Sequence, residues 1–357
     1  PLHGKNCSIG KKVPHKISGE ELYLVAGDFF VLRLRQKEVG VHMKHAKNKN
    51  APYRVPKKTL KEKMVQIYHY RWFYLMFLPV FLSLLVFHYF PIYGIKYAFT
   101  DYTPFKEPTW VGLANFEYLF SSKRFWQAFR NTVELSLVKL VLGMVFSVGL
   151  ALLIDEVRSV GFRKVTQTIV YIPHFISWVV VASIFTLFLS PQSGMVNAII
   201  TSLGGEPIYF LASDKWWRVV FYLLNLWKET GWGTIIYIAA LAGVDQEMYE
   251  AATIDGAGHF QRVWYISIPA ISVTILTVFI LNLAKVLNLF DSVFVLQNDS
   301  VIKSSDVIGT YVYRLGITSA DYGVSTAAGL FKSVISLVLI TVANRLSKKM
   351  KGEGILG

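Results

Sequence analysis

Six long apolar stretches alternate with shorter polar segments along most of the chain. Each stretch reaches the roughly 20 residues that an α-helix needs to cross the hydrocarbon of a bilayer. The stretches cover residues 72–97, 131–154, 165–189, 216–240, 271–296 and 323–343. The pattern therefore predicts an all-α fold: a polytopic membrane protein with six transmembrane helices.

The composition agrees with a membrane protein. Of the 357 residues, 53% are hydrophobic and 15% are aromatic, and the mean hydropathy is positive. A single cysteine, Cys7, excludes an internal disulfide framework and a four-cysteine metal site. A soluble protein of this length is therefore not expected.

The net charge of +14 is concentrated next to the apolar stretches. Residues 43–71 contain nine Lys or Arg residues against one Glu, and the C-terminal tail is also basic. Basic residues beside the first and last spans predict that both termini are cytoplasmic. Anionic lipid headgroups account for this charge, so nucleic acid is not an expected partner.

The polar segment 241–269 separates the fourth and fifth apolar stretches. It predicts a helix over about 246–254, a break at Gly256 and Gly258, and a second short helix over about 259–265. Six spans with cytoplasmic termini also place this segment in the cytoplasm.

The spacing in this segment resembles the EAA loop of the permease subunits of bacterial ATP-binding-cassette (ABC) importers. Glu250-Ala251-Ala252 is followed after three residues by Gly256, and after nine more by Ile266-Ser267-Ile268-Pro269. Two positions depart from the family pattern, because Asp245 stands where a proline is usual and Ile268 replaces the commoner leucine.

In that family the loop is a cytoplasmic coupling helix that docks into a cleft of the ATPase subunit. The resemblance implies that Glu250 contacts a basic group there, that the two alanines keep the helix slim, and that Gly256 provides a turn. The ATPase-coupling residues implied in this way are Glu250, Ala251, Ala252, Thr253, Ile254, Gly256 and His259.

The sequence contains no ATP-binding motif of its own. The phosphate-binding pattern Gly-x-x-x-x-Gly-Lys-Ser/Thr is absent, as are the His-Glu-x-x-His and Gly-x-Ser-x-Gly patterns. We therefore expect a transport subunit that is not an enzyme and holds no cofactor or metal. ATP and Mg are expected on partner ATPase subunits.

Polar residues inside the fourth and fifth stretches mark a candidate substrate pathway. A charge at the middle of a bilayer costs about 2.5–3.5 kcal/mol, so such residues face a wet cavity or each other. In the fifth stretch they recur at every third position, which predicts a slowly winding stripe on one helix. The candidates are Asn225, Trp227, Lys228, Glu229, Asn282, Lys285, Asn288 and Asp291. An alternative is a set of structural ion pairs, for example between Glu229 and Lys285.

Gly231 and Gly233 either loosen the fourth helix or let a neighbouring backbone come close.

Other parts of residues 64–350 also resemble permeases that import complex saccharides, including polysaccharide fragments and alginate. Two such phrases are TWVGLANFEYLF and VTQTIVYIPHFISWVVVASIF. The resemblance implies a second homologous permease subunit, two ABC ATPase subunits, an extracytoplasmic solute-binding protein and a saccharide substrate. With Lys332 of the sixth stretch included, Lys228, Lys285 and Lys332 outnumber Glu229 and Asp291, which favours an anionic, alginate-type cargo over neutral plant-polysaccharide fragments.

Two further points stay open. An ion-coupled secondary carrier or channel without an ATPase partner is the alternative function, although no inverted internal repeat is visible. The predicted domains are an N-terminal cytoplasmic extension (1–63), a transmembrane domain (64–350) and a tail (351–357). Residues 1–42 were either added for expression or are a native extension.

Overall fold

The computed structural model describes residues 64–65, 68–103 and 106–351. The predicted extension 1–63, including the segment 1–42, lies outside the described residues, as do residues 352–357 of the tail. The chain divides into two compact units between Arg71 and Trp72. The fold and sites below belong to the second unit.

The described part of the chain is mostly helical, which confirms the predicted all-α class. The α-helices in chain order are α1 Arg71–Leu84, α2 Ala114–Ser121, α3 Lys123–Asp155, α4 Val160–Tyr171, α5 Trp178–Phe188, α6 Met195–Ser202, α7 Asp214–Leu241, α8 Gln246–Ile254, α9 His259–Arg262, α10 Ile268–Ala270, α11 Ser272–Leu283, α12 Asp291–Leu296, α13 Ile302–Ser305, α14 Ile308–Tyr313 and α15 Tyr322–Lys351. Segments of 3-10 or π geometry extend or connect them at Leu85–Tyr89, Phe90–Phe99, Ile172–Phe175, Val263–Ser267, Asp299–Val301 and Arg314–Thr318.

A small β-hairpin follows the first long helix, which the sequence did not predict. Strands β1 (Thr100–Thr103) and β2 (Lys106–Trp110) pair antiparallel, with Thr100 opposite Trp110. Helix α3 then begins eight residues before the predicted start of the second span at 131. Its N-cap is Ser122, whose Oγ accepts from the backbone N–H of Phe125.

Three helical stretches within the described residues are long and apolar enough to cross a bilayer. They are Arg71–Phe99, Lys123–Asp155 and Tyr322–Arg345. Two bent helix pairs raise this number to five if each pair counts as one span: Val160–Phe175 with Trp178–Phe188, and His259–Ala270 with Ser272–Leu283. The predicted fourth span is the 28-residue helix α7, whose middle is made polar by Lys228 and Glu229. The count of six spans therefore stays a prediction.

The predicted third span is bent by 97° rather than straight. Pro173 has no backbone N–H to continue the ladder of helix α4. A 3-10 turn, Ile172–Phe175, ends this helix. Ser177 then caps helix α5, with its Oγ accepting from the N–H of Val180 at 3.3 Å. The prediction of one continuous helix over 165–189 is wrong at this bend.

The predicted fifth span is interrupted in its second half. Helix α11 ends at Leu283 and helix α12 starts at Asp291, so residues 284–290 are turns and irregular backbone. Lys285 and Asn288 lie in this interruption. The predicted polar stripe along one helix is therefore wrong, because no single helix carries all its members.

Tertiary packing accounts for the interruption, since residues 284–290 contain neither glycine nor proline. Leu287 and Leu289 are buried, and so anchor the non-helical backbone. The carbonyl oxygen of Leu289 also lies against Gly309 of helix α14, where an added Cβ would be 2.7 Å from it. Such an approach excludes any residue larger than glycine at that position.

Helix α7 packs closely on its neighbours through two glycines. A Cβ on Gly231 would lie 1.8 Å from the carbonyl oxygen of Val170, and one on Gly233 would lie 2.4 Å from Ser147 Oγ. At Gly231 the overlap is with backbone, so a side chain cannot fit, whereas at Gly233 the Ser147 side chain would have to move. The expected close approach is confirmed, whereas helix α7 is continuous and not loosened at these positions.

Candidate functional site

A cavity of about 340 Å³ lies between helices α3, α7 and the interrupted α11 segment. It is lined by Ser136, Lys139, Leu140, Gly143, Met144, Ser147, Glu229, Trp232, Gly233, Tyr237, Val278, Asn282, Lys285, Val286, Asn288 and Leu289. Hydroxyl, amide, amine and carboxylate groups therefore face one space together with two aromatic rings.

Four of the eight predicted pathway residues meet at this cavity: Glu229, Asn282, Lys285 and Asn288. Asn282 lies near the end of helix α11, and the next two follow in the interruption. Successive turns hold them, since the N–H of Lys285 donates to the Asn282 carbonyl at 3.0 Å and that of Asn288 to the Lys285 carbonyl at 2.8 Å. Lys285 and Asn288 therefore reach the cavity from a stretch of backbone that is not helical.

The other four predicted pathway residues do not line this cavity. Asn225 is 2% exposed and lines a smaller adjoining space of about 40 Å³ together with Lys139 and Glu229. Trp227 is half-exposed and its ring lies edge-on to Phe185, with centroids 5.5 Å apart. Lys228 and Asp291 lie elsewhere, the former buried and the latter exposed in the first turn of helix α12.

Lys228 and Glu229 hold the bend between helices α4 and α5. Lys228, 5% exposed, donates from Nζ to the carbonyl oxygen of His174 at 2.5 Å. Glu229 Oε2 lies 2.9 Å from His174 Nδ1, and its Oε1 lies 3.7 Å from Lys228 Nζ. The indole of Trp232 stacks on the imidazole of His174, with centroids 4.5 Å apart. The Glu229–Lys285 ion pair of the alternative reading is not formed, because the carboxylate contacts these groups instead.

Sequence reasoning missed the wall formed by helix α3. Ser136, Lys139, Gly143 and Ser147 all line the cavity, and their spacing of three and four residues places them on one helical face. The Oγ of Ser136 is buried without a hydrogen-bond partner among the described residues. The available signal was a lysine in the middle of the second apolar stretch, beside small residues at helical spacing.

The second candidate site is the loop between helices α7 and α11. Helix α8 occupies the predicted range 246–254, and the second helix starts at His259 as expected. Asp245, the residue that departs from the family pattern, caps helix α8, with its Oδ1 accepting from the N–H of Glu247 at 3.0 Å. The substitution therefore leaves a well-defined helix start.

The end of helix α8 is a Schellman turn built on Gly256. This glycine has φ of +78°, a left-handed conformation that costs other residues free energy. The N–H of Ala257 donates to the Ala252 carbonyl at 2.8 Å, and that of Gly256 to the Thr253 carbonyl at 3.1 Å. The turn aims the chain away from the helix axis at a fixed angle.

The outer face of helix α8 is accessible. Glu250 and Ala251 are exposed, Ala252 is half-buried, and Ile254 is 86% exposed. Beyond the turn, Phe260 is also 86% exposed. A carboxylate therefore stands beside apolar side chains on a surface that the described part of this chain leaves uncovered.

Side-chain contacts hold the loop together and tie it to the rest of the protein. The hydroxyl groups of Tyr249 and buried Ser267 lie 2.9 Å apart. Thr253 Oγ1 accepts from Arg262 at 3.1 Å, which joins helices α8 and α9. His259 Nε2 lies 3.1 Å from Glu156 Oε1, directly after helix α3. The loop is thus positioned by contacts on one side and exposed on the other.

Comparison with curated proteins finds close relatives over most of the chain. Protein LplB of Bacillus subtilis is 44% identical over 289 residues, which cover 80% of this chain and 91% of the relative. The polygalacturonan/rhamnogalacturonan transport system permease protein YteP of the same organism is 40% identical over 303 residues, which cover 84% and 94%.

A solved structure has the same fold. The crystal structure of a bacterial alginate ABC transporter in complex with alginate pentasaccharide-bound periplasmic protein contains a chain that matches with a TM-score of 0.75 and 38% identity. The match covers 82% of this chain and 99% of that one.

The family comparison agrees with these relatives. A family model described as the inner membrane component of binding-protein-dependent transport systems matches residues 140–352, which include the exposed loop and all the cavity-lining residues except Ser136 and Lys139. This match favours the importer over the carrier or channel that the sequence left open. The chain belongs to the family of binding-protein-dependent transport system inner membrane components, and it is a permease of the ABC importer type.

Proposed function

We propose that this permease moves oligo- or polysaccharide inward across the bacterial cytoplasmic membrane, driven by ATP hydrolysis on partner subunits. The relatives named for polygalacturonan, rhamnogalacturonan and alginate support a saccharide cargo. The observation that carries the proposal is the polar cavity at the interruption of helix α11. Both termini are proposed to lie in the cytoplasm.

The cavity has the chemistry of a saccharide path. A sugar that leaves water needs partners for its hydroxyl groups, and the amides of Asn282 and Asn288 supply donors and acceptors. The buried Ser136 hydroxyl has an unfilled hydrogen-bonding capacity at the cavity wall. The rings of Trp232 and Tyr237 offer apolar faces to a pyranose ring.

The interrupted helix supports the same conclusion. Non-helical backbone at membrane depth is tolerated where it is buried in protein or lines a cavity, because its N–H and C=O groups need partners. In transporters such interruptions occur near substrate sites at the middle of the membrane. Residues 284–290 fit this rule because Lys285 and Asn288 line the cavity beside buried leucines.

The volume of the cavity supports a second permease subunit. Sites for drug-sized ligands occupy about 300–1,000 Å³, so 340 Å³ holds only a small part of an oligosaccharide. A homologous subunit that faces helices α3 and α7 would complete the path. The loaded solute-binding protein would dock on the extracytoplasmic segments, which include the β-hairpin and helix α2.

Coupling to the ATPase is assigned to the exposed loop. Glu250 would contact a basic group in the docking cleft, while Ala251 and Ala252 allow close entry and Ile254 adds apolar contact. Gly256 fixes the turn, and Thr253 and His259 hold the loop through their contacts with Arg262 and Glu156. ATP and Mg would be bound only by the ATPase subunits.

The test of this proposal is a block of the cavity in the reconstituted transporter. A Cβ on Gly143 meets no atom within 4 Å, so Gly143→Trp adds its Cβ without a clash, and we expect its indole to occupy the cavity that Gly143 lines. We expect ATP-dependent uptake of labelled oligogalacturonate into proteoliposomes to be lost, while the assembled complex still binds ATP. Gly149→Trp, on the same helix and also in open space, is the matched control and retains uptake.

Two results would contradict the proposal. Normal uptake with Gly143→Trp would show that the cargo does not use this cavity. Uptake by vesicles that contain the permease without ATPase subunits would instead favour an ion-coupled carrier.

A further inference from the structure

The charged groups of the cavity are not balanced. Lys139 on helix α3 and Lys285 in the interruption both line it, and the only carboxylate among the lining residues is Glu229. Glu229 is already engaged, since Oε2 lies 2.9 Å from His174 Nδ1 and Oε1 lies 3.7 Å from Lys228 Nζ. Its closest partners therefore lie at the helix bend, and both Glu229 and Asp291 attract Lys139 without either carboxylate coming within 4 Å of its Nζ.

Neither cavity lysine has a carboxylate within 4 Å among the described residues, in contrast to Arg218 and Arg314, which pair with Glu134 and Asp306. A cation in a space walled by membrane helices is unfavourable unless water or a counter-charge faces it. Lys139 on helix α3 and Lys285 in the interruption thus each lack a carboxylate in direct contact among the described residues. A ligand that carries carboxylates would supply one.

We propose that Lys139 and Lys285 are specificity-determining residues that bind the carboxylate groups of an acidic saccharide as it passes through the cavity. The inference rests on the proposed function and adds the class of cargo that the cavity prefers. An ammonium–carboxylate contact is a charge-assisted hydrogen bond and is stronger than a contact with a neutral hydroxyl. A neutral saccharide would leave both lysines without a counter-charge.

The neighbours of the two lysines fit a chain of uronate units. Asn282 and Asn288 flank Lys285 and supply neutral partners for ring hydroxyls, while Ser136 stands one helical turn from Lys139. The lysine stem is flexible and its ammonium has three donors, which suits successive carboxylates that move past. Lys228 has no part in this contact, because it is buried and donates to the His174 carbonyl.

The experiment measures binding of two matched probes to the purified complex of permease and ATPase subunits, with no solute-binding protein present. The probes are trigalacturonate and its fully methyl-esterified form, which keeps the hydroxyls and removes the charge. Isothermal titration would give the affinity of each probe for the wild-type complex and for Lys139→Gln, Lys285→Gln and Lys139→Arg. Lys123→Gln is the control, because this exposed lysine lies on the same helix about 24 Å from Lys139.

We expect the wild-type complex to prefer the acid. Each Gln variant lowers the affinity for trigalacturonate roughly 10-fold or more and weakens its dependence on salt. Affinity for the ester stays within about 2-fold, and Lys139→Arg retains most of the preference. The Lys123→Gln control matches the wild type with both probes.

Three results would overturn the inference. One is a wild-type complex that binds acid and ester equally or binds neither. Another is an equal loss for both probes in the Gln variants, which would indicate a structural role for the lysines. The last is an unchanged preference in the Gln variants.

Failure of the inference is separable from failure of the proposed function. If Gly143→Trp blocks uptake while the Lys variants keep the wild-type preference, the cavity is the path and the lysines do not select the cargo. If Gly143→Trp leaves uptake normal, the path itself lies elsewhere and both proposals are refuted.

Discussion

The turn at Gly256 gives the sharpest test of the coupling loop. Gly256 has φ of +78°, and a Cβ built there meets no atom within 4 Å. The change Gly256→Ala therefore adds no steric clash with neighbouring groups. Its cost arises from the backbone conformation alone, which an L-residue with a Cβ adopts unfavourably.

The expected magnitude follows from that conformation. A left-handed residue other than glycine costs about 1–2 kcal/mol, which corresponds to a factor of about 5–30 in the equilibrium between the native turn and alternative turns. Since helix α8 is exposed, this cost falls on the loop and not on the membrane-embedded core. We expect the affinity of the ATPase subunit for the permease to fall by up to this factor.

The assay has two readouts and two comparison variants. Affinity is measured by titration of labelled ATPase subunit onto reconstituted permease, and coupling by the ratio of transported cargo to hydrolysed ATP. Gly258→Ala is the matched control, because Gly258 has an ordinary φ of −67° and its Cβ would be 3.6 Å from Gln261 Oε1. Gly256→Asn should recover part of the loss, since asparagine tolerates the left-handed region.

The reasoning would be refuted by equal effects of the two alanine substitutions. It would also be refuted if Gly256→Ala lowered the thermal stability of the whole permease as much as it lowered ATPase affinity. Either result would mean that the turn geometry is not what positions the loop.

Three further predictions concern other contacts. Glu250→Lys should preserve membrane insertion and thermal stability but uncouple ATP hydrolysis from uptake; normal uptake would remove Glu250 from the mechanism. Gly231→Ala should destabilise the permease by about 1–3 kcal/mol or more, because the added Cβ overlaps a backbone carbonyl; Gly329→Ala, in open space on helix α15, should be neutral or stabilising in the same melting experiment. Tyr249→Phe removes the hydrogen bond to buried Ser267 and should weaken the docking of helix α8 by about 0.5–1.5 kcal/mol. We expect a several-fold loss of ATPase affinity with unchanged membrane insertion; an unaltered affinity would show that this bond does not orient helix α8.

The helix–turn–helix form of the loop between helices α7 and α11 was well predicted from the sequence because its signals are local. A polar segment between apolar runs and two glycines define the start and end of helix α8 without help from tertiary structure. The positive φ of Gly256 could not be derived, because glycine adopts both signs of φ.

The cavity was predicted only in part because its shape depends on contacts distant in sequence. Nothing in residues 284–290 signals a break, and the interval of three between Asn282, Lys285 and Asn288 is compatible with a helix. The break arises from burial of neighbouring leucines and from the approach of Leu289 to Gly309. Lys228 and Glu229 were read as pathway residues together, although only the structure shows that both hold the bend at His174.

Helix α3 connects the cavity to the exposed loop between helices α7 and α11. Its 33 residues form a rod about 50 Å long. Lys139 stands midway along it, and the residue after its last turn, Glu156, touches His259 of the coupling loop. A tilt of about 5° about the midpoint would displace each end by about 2 Å in opposite directions. In the proposed mechanism, a push by an ATPase subunit on the loop would therefore move the opposite end of helix α3 as well.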